Sequence, residues 1–223
     1  PADIDETIPD DIKPEEAAMA GVFSALSIIL SFTPLGYIQL GSAIQITLMH
    51  IPVILATLLA GLVPGLATGF IFGVSSLVKN LMTGAAASPF FMNPLVSVLP
   101  RLLFPVAVWG IFTLLNFIPR MPKIISGAVA AALGTFIHTV LVMGAIFIFY
   151  GNIFLPLVLG AIEKIGISTE NISGFKAFAA IIATTMLTNG FFEVICAVVL
   201  SCAVLGSVYA AGSRKSKISK FEE

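Results

Sequence analysis

Asn189 and Glu193 stand four residues apart in an otherwise apolar run, so a helix there sets an amide and a carboxylate on one face. Gln45, His50, Lys79, Asn80, Arg101, Asn116 and His138 are the other ionisable or amide groups within the long apolar segments. Such side chains are costly in a hydrocarbon medium, so each is a functional candidate by default. Two permanent cations, two histidines and several amides are set against one carboxylate, a balance that suits a small anionic or amide-bearing solute better than a cation. The same residues do not compose a hydrolytic centre. The chain has no G-x-x-x-x-G-K-[ST], no H-E-x-x-H and no G-x-S-x-G, which removes nucleotide hydrolysis and the common membrane protease chemistries. No catalytic residue, metal-ligand set or nucleic-acid-binding pattern is read from it.

Each candidate also has a purely structural explanation. Lys79 and Arg101 lie near the outer ends of their segments, where long basic side chains reach the interface. His50 precedes Pro52, and its ring can take up a backbone group freed by the proline. Asn116 suits a helix cap, and Glu193 suits a counter-ion for Arg101 or His138. Cys196 and Cys202 both fall within the last apolar run and read as small buried hydrophobes. Gly36, Gly41 and Gly84, with Ser88, Pro89 and Asn93, give the outer loops the composition of lids over a pocket. Asn93 and Gln45 therefore join Arg101, His138, Asn189, Lys79, Asn80 and Glu193 as candidate substrate-binding residues.

These groups must be positioned by membrane-spanning helices. From Ala17 to Ile162 there is no Asp or Glu, and the only formal charges are Lys79, Arg101, Arg120 and Lys123. With 58% hydrophobic and 10% charged residues and a mean hydropathy of +1.06, the chain lies far from soluble composition. The apolar runs are continuous rather than alternating, which favours helices over a β-barrel. Pro and Gly punctuation predicts six spans: Pro14 to Phe32, Ala43 to Ala60 with a break or kink at Pro52, the turn at Gly61, Pro64 and Gly65 to Met82, Leu95 to Phe117, Lys123 to Tyr150, and Phe175 to Ala210. The expected fold is thus an all-α polytopic membrane protein. An acidic tail (residues 1–16) precedes a transmembrane domain (17–210), and a basic tail (211–223) follows it. An even number of spans puts both termini on one side. That side carries Lys13, Arg120, Lys123, Arg214, Lys215, Lys217 and Lys220 against Lys79, Arg101, Lys164 and Lys176 opposite, so both termini are expected in the cytoplasm.

Small residues recur every fourth position at Ala17, Gly21 and Ala25, and again at Gly65, Gly69 and Gly73. Such stripes permit close helix contact, usually within one protein.

With these features in view, the chain resembles the S components, the substrate-binding membrane subunits of energy-coupling factor (ECF) vitamin transporters. The resemblance runs from Ala17 to Ala210. It is carried most specifically by ITLMHIPVILATLLAGLVPGLATGFIFGVSSLV (Ile46 to Val78), and also by NPLVSVLPRLLFPV (Asn93 to Val106) and TNGFFE (Thr188 to Glu193), which are similar to pantothenate-type members. It implies a subunit that captures a water-soluble vitamin outside the cell and docks on a membrane coupling subunit driven by two ATPase subunits. It implies a plasma-membrane location in a prokaryote, and no cofactor of its own, since the partners hydrolyse ATP. The stripe Ala17, Gly21, Ala25 matches the family's A-x-x-x-A docking motif with glycine in place of one alanine. The pantothenate carboxylate, amide and hydroxyls suit Arg101, His138, Asn189 and Lys79. Folate, riboflavin and pyridoxine-type vitamins are the alternatives within the family. Outside it stand a self-sufficient secondary transporter, which would take up solute without an ATPase, and a membrane enzyme using His138 and Glu193 as an acid–base pair.

Overall fold

The computed structural model describes residues 13–40, 44–83, 88–164 and 174–219. Helix α1 (Pro14–Phe32) opens on a proline in its first turn, where the missing N–H leaves no bond unmade, and Glu15 and Glu16 face its positive end. A 3₁₀ turn at Pro34–Gly36 leads into β1 (Tyr37–Leu40), which pairs antiparallel with β2 (Ile44–Thr47). Helices α2 (Ile51–Ala60) and α3 (Leu62–Thr83) follow. Two single-turn helices, α4 (Ser88–Phe91) and α5 (Pro94–Ser97), precede α6 (Leu99–Asn116). Helix α7 (Lys123–Lys164) is broken at Tyr150, where φ is −134° and ψ is 18°. Finally α8 (Gly174–Thr185) passes through a π-helical turn, Met186–Gly190, into α9 (Phe191–Ser219).

Five helical segments are long and apolar enough to cross a membrane among the described residues: Pro14–Phe32, Leu62–Thr83, Pro94–Asn116, Lys123–Pro156 and Lys176–Ala211. The protein is a multi-pass, predominantly helical membrane protein. The second predicted span is the one that differs. Only Ile51–Ala60 is helical, because Pro52 occupies the first turn and so starts the helix rather than kinking it. The residues before it pair as β2, with Ile44 opposite Leu40 and Thr47 opposite Tyr37, so the stretch between the first two predicted spans holds a strand, β1, and the second span opens on another. Similarly, Pro100 lies in the first turn of α6 and the chain steps at Val98. Helix continues past Tyr150, where a loop was expected, and the last helix runs beyond Ala210 to Ser219.

Short as it is, α2 is the centre of the bundle. It packs against α1, α3, α6, α7 and α9, and eight of its ten residues, Ile51 to Leu58, are buried. Gly61 ends it at φ 94°, a conformation that glycine reaches without strain, and its N–H closes on the Thr57 carbonyl. Along α3, a Cβ at Gly65 would come 2.2 Å from the Thr57 hydroxyl, at Gly69 2.3 Å from the Arg101 carbonyl oxygen, and at Gly73 2.8 Å from Val98 Cα. This stripe therefore lets α3 lie directly on α2 and α6. The stripe on α1 is different: Ala17, Gly21 and Ala25 are all exposed, and a Cβ at Gly21 would meet nothing within 4 Å.

Buried hydroxyls are satisfied mostly within their own helices. Thr57, Thr68, Thr135 and Thr139 each donate to the carbonyl four residues back, as polar groups in a lipid-embedded bundle must find partners locally.

Candidate functional site

A cavity of about 620 Å³ opens at the end of the bundle where α1 and α3 finish and α2 begins. Its walls come from α3 (Phe72, Lys79, Asn80), α6 (Arg101), α7 (His138, Thr139), the 47–50 segment (Thr47, His50) and the last helical arm (Thr185, Asn189, Glu193).

Arg101 lies in the first turn of α6, just past Pro100, and is 5% exposed. Its guanidinium is 5.4 Å from the ring centroids of both Phe72 and Phe91, and Nη1 donates to the Val96 carbonyl at 2.7 Å. Cation–π contact with two rings fits a weakly hydrated guanidinium and favours its charge at this buried position. Phe91 and Val96 both belong to the α4–α5 segment. That segment is anchored in turn by the Ser97 hydroxyl on the Phe91 carbonyl and by Phe90, whose ring meets Tyr150 and Phe154 edge-on at 5.5 Å. The break in α7 at Tyr150 thus lies beside the packing that seats the α4–α5 segment over Arg101.

The cavity floor is aromatic and imidazole. The His138 ring meets Phe104 edge-on at 4.8 Å, Phe72 at 5.9 Å, and stacks on His50 at 5.7 Å with planes 13° apart. His50 Nε2 is 3.2 Å from the Thr135 hydroxyl, which also lies 2.9 Å from the Ala131 carbonyl oxygen. His138 Nε2 is buried with no hydrogen-bond partner among the described residues. A neutral imidazole there offers a donor or an acceptor to whatever fills the cavity.

Glu193 closes the far wall, 7% exposed, in the first turn of α9. The Thr47 backbone N–H donates to its Oε1 at 2.8 Å, and the Thr47 hydroxyl donates to the same atom. Asn189 sits in the π turn one step before it. A π turn is strained relative to an α turn and recurs where side chains are being re-aimed at a functional site.

Six of the eight predicted site residues, Arg101, His138, Asn189, Lys79, Asn80 and Glu193, line this one cavity. Asn80 is also a structural tie, donating to the Ser76 carbonyl at 2.8 Å and accepting from the Ser88 hydroxyl at 3.1 Å. Asn93 does not join them. It caps α5, its Oδ1 accepting the Leu95 N–H at 2.9 Å, which is the ordinary use of Asn before a proline-led turn. Gln45 stands opposite Gln39 in the hairpin register, and its side chain lies outside the described part of the structure, as do Gly41 and Gly84. The suggested pairing of Glu193 with Arg101 or His138 gives way to the bonds from Thr47. Sequence reading gave His50 first to a backbone hydrogen bond and passed over Thr47, Phe72 and Phe91, all of which line the cavity. Their residue types carry no signal of their own, and only the ring geometry around Arg101 and His138 makes them part of the site.

Comparison with known proteins places this architecture. The model of the family described as "ECF transporter, substrate-specific component" matches residues 16–205. The chain belongs to that family. The matched span takes in all the cavity walls, from α1 through most of α9. Members of this family are transport subunits rather than enzymes. The chain is also similar to the pantothenic acid transporter PanT of Lactococcus lactis subsp. cremoris (strain MG1363), 28% identical over 213 residues, covering 89% of this chain and 96% of that protein.

Proposed function

We propose that this S component captures pantothenate outside the cell and delivers it inward by docking on an ATP-driven ECF module in the plasma membrane of a prokaryote. Arg101 is the observation that carries this reading: a permanent cation, 5% exposed, in cation–π contact with Phe72 and Phe91 on the wall of a cavity large enough for a small vitamin. Charge-assisted hydrogen bonds from a preorganised guanidinium are the strongest neutral-pH means of holding a carboxylate. Lys79 adds a second positive charge to the same wall, and His138 and Asn189 suit an amide and hydroxyls. The likeness to a pantothenic acid transporter supports the same ligand.

In this reading α2 and its preceding hairpin together make the sixth crossing, both termini are cytoplasmic, and the cavity opens outward. The exposed stripe Ala17, Gly21, Ala25 on α1 meets the membrane coupling subunit, whose two ATPase subunits supply the energy.

Binding of labelled pantothenate to the purified protein tests this, with folate, riboflavin and pyridoxine as unlabelled competitors. Displacement by unlabelled pantothenate alone supports the assignment, and displacement by another of these vitamins moves the reading to that vitamin. Uptake by cells expressing the chain without an ATPase module would exclude the S-component mechanism.

A further inference from the structure

The cavity carries charge of both signs, and a run of contacts along its floor links the groups. Arg101 lies over Phe72. Phe72 packs against His138, and His138 stacks on His50. Each of these steps is between 5.4 and 5.9 Å. Three residues before His50 stands Thr47, which donates twice to Glu193. The permanent cation and the buried carboxylate thus line one cavity and are linked through a run of contacts made of one phenylalanine and two imidazoles, with the buried Nε2 of His138 along it.

Both Thr47 bonds fall on one oxygen of Glu193, Oε1, whereas an ionised carboxylate accepts about four hydrogen bonds over its two oxygens. Glu193 forms no ion pair among the described residues, and it shares the cavity wall with Asn189 and Thr185, which precede it by four and eight positions. A carboxylate that is 7% exposed and open to a cavity attracts donors and repels acids.

From this the geometry points to a single binding direction: the ligand's anionic group lies at Arg101 and its hydroxyl-bearing end lies at Glu193, whose Oε2 accepts a hydroxyl proton. This rests on the pantothenate reading and deepens it, because it requires a substrate with an acid at one end and hydroxyl donors at the other. Glu193 becomes a specificity-determining residue, selecting hydroxylated acids over acids with apolar tails.

The test uses three probes on the purified full chain: pantothenate, its primary alcohol counterpart with the acid reduced, and N-(3,3-dimethylbutanoyl)-β-alanine, the deoxy acid that keeps the acid, the amide and the carbon skeleton but has neither hydroxyl. Wild-type protein should bind both altered probes at least tenfold more weakly than pantothenate. In Glu193→Gln the preference for pantothenate over the deoxy acid should fall to within about threefold, while the preference over the alcohol is kept. Arg101→Gln should do the reverse. Equal weakening of pantothenate and the deoxy acid in Glu193→Gln would overturn the orientation, because a carboxylate that serves only to fasten Thr47 cannot sense the ligand's hydroxyls. Wild-type protein that binds the deoxy acid as tightly as pantothenate would overturn it without recourse to any variant. Failure of wild-type protein to bind pantothenate at all would defeat the vitamin assignment itself, and the orientation with it.

Discussion

Thr47 gives both its backbone N–H and its hydroxyl to one carboxylate oxygen of Glu193, joining residues 146 positions apart. The bond pair fastens the β1–β2 hairpin, which follows α1, to the start of α9, where the π turn has just ended. It is one tie between the early and late parts of the chain on the cavity wall.

Thr47→Val keeps the N–H bond and removes the hydroxyl bond. A hydrogen bond to a charged group is worth about 1.5–3 kcal/mol, so the variant should lose about that much stability. Amide hydrogen exchange should accelerate in the hairpin, Tyr37–Leu40 and Ile44–Thr47, and remain unchanged in α6. Uniform acceleration across the protein would mean that the tie has no local role.

Arg101→Ala should weaken binding of an anionic vitamin by about 1–3 kcal/mol, roughly one to two factors of ten. Arg101→Lys should recover little of this, because a compact, strongly hydrated ammonium is less suited to contact with Phe72 and Phe91. Titration calorimetry on the purified variants reads both effects, and full recovery by lysine would show that charge alone matters.

Phe91→Leu retains bulk but removes one of the two faces holding the guanidinium. It should weaken binding of the acid by about 0.5–2 kcal/mol, the usual range for a cation over a ring, and leave binding of the alcohol counterpart unchanged. Phe91→Tyr, which keeps the ring, should restore the acid. Parallel loss for acid and alcohol would trace the effect to the seating of the α4–α5 segment instead.

The two glycine stripes make opposite predictions. Gly69→Ala forces a methyl to within 2.3 Å of the Arg101 carbonyl, so α3 and α6 must separate, and stability should drop by about 1–3 kcal/mol together with ligand binding. At Gly21 a Cβ meets nothing within 4 Å, so Gly21→Leu should leave thermal stability and binding intact. Uptake in cells expressing the ECF module should nevertheless fall sharply, because the bulky side chain occupies the proposed docking face. Normal uptake by Gly21→Leu would move docking elsewhere.

The membrane class, most span positions and six polar residues that line the cavity were legible in the sequence. The reason is energetic: in hydrocarbon, continuous apolar runs have few alternatives to helix, and a polar residue inside one is conspicuous because it is costly. Proline was legible as punctuation but not in its sense, since Pro52 starts a helix where a break or kink was expected. The hairpin was passed over because the alternation Ile44, Gln45, Ile46, Thr47 is only four residues long, too short to separate a strand from the start of a span, and whether such a run pairs or coils is decided by the strand available beside it.

By itself, then, the sequence determined that this is a multi-pass helical protein with a sparse, net-positive set of buried polar groups. Only the tertiary structure decided which of them meet. It set Glu193 against Thr47 rather than Arg101, turned Asn93 into a cap, and built Phe72, Phe91 and His50 into the cavity. Helical periodicity orders residues within one helix, whereas those contacts depend on how α3, α6, α7 and α9 cross, and that is set by close packing at positions such as Gly69 and Gly73.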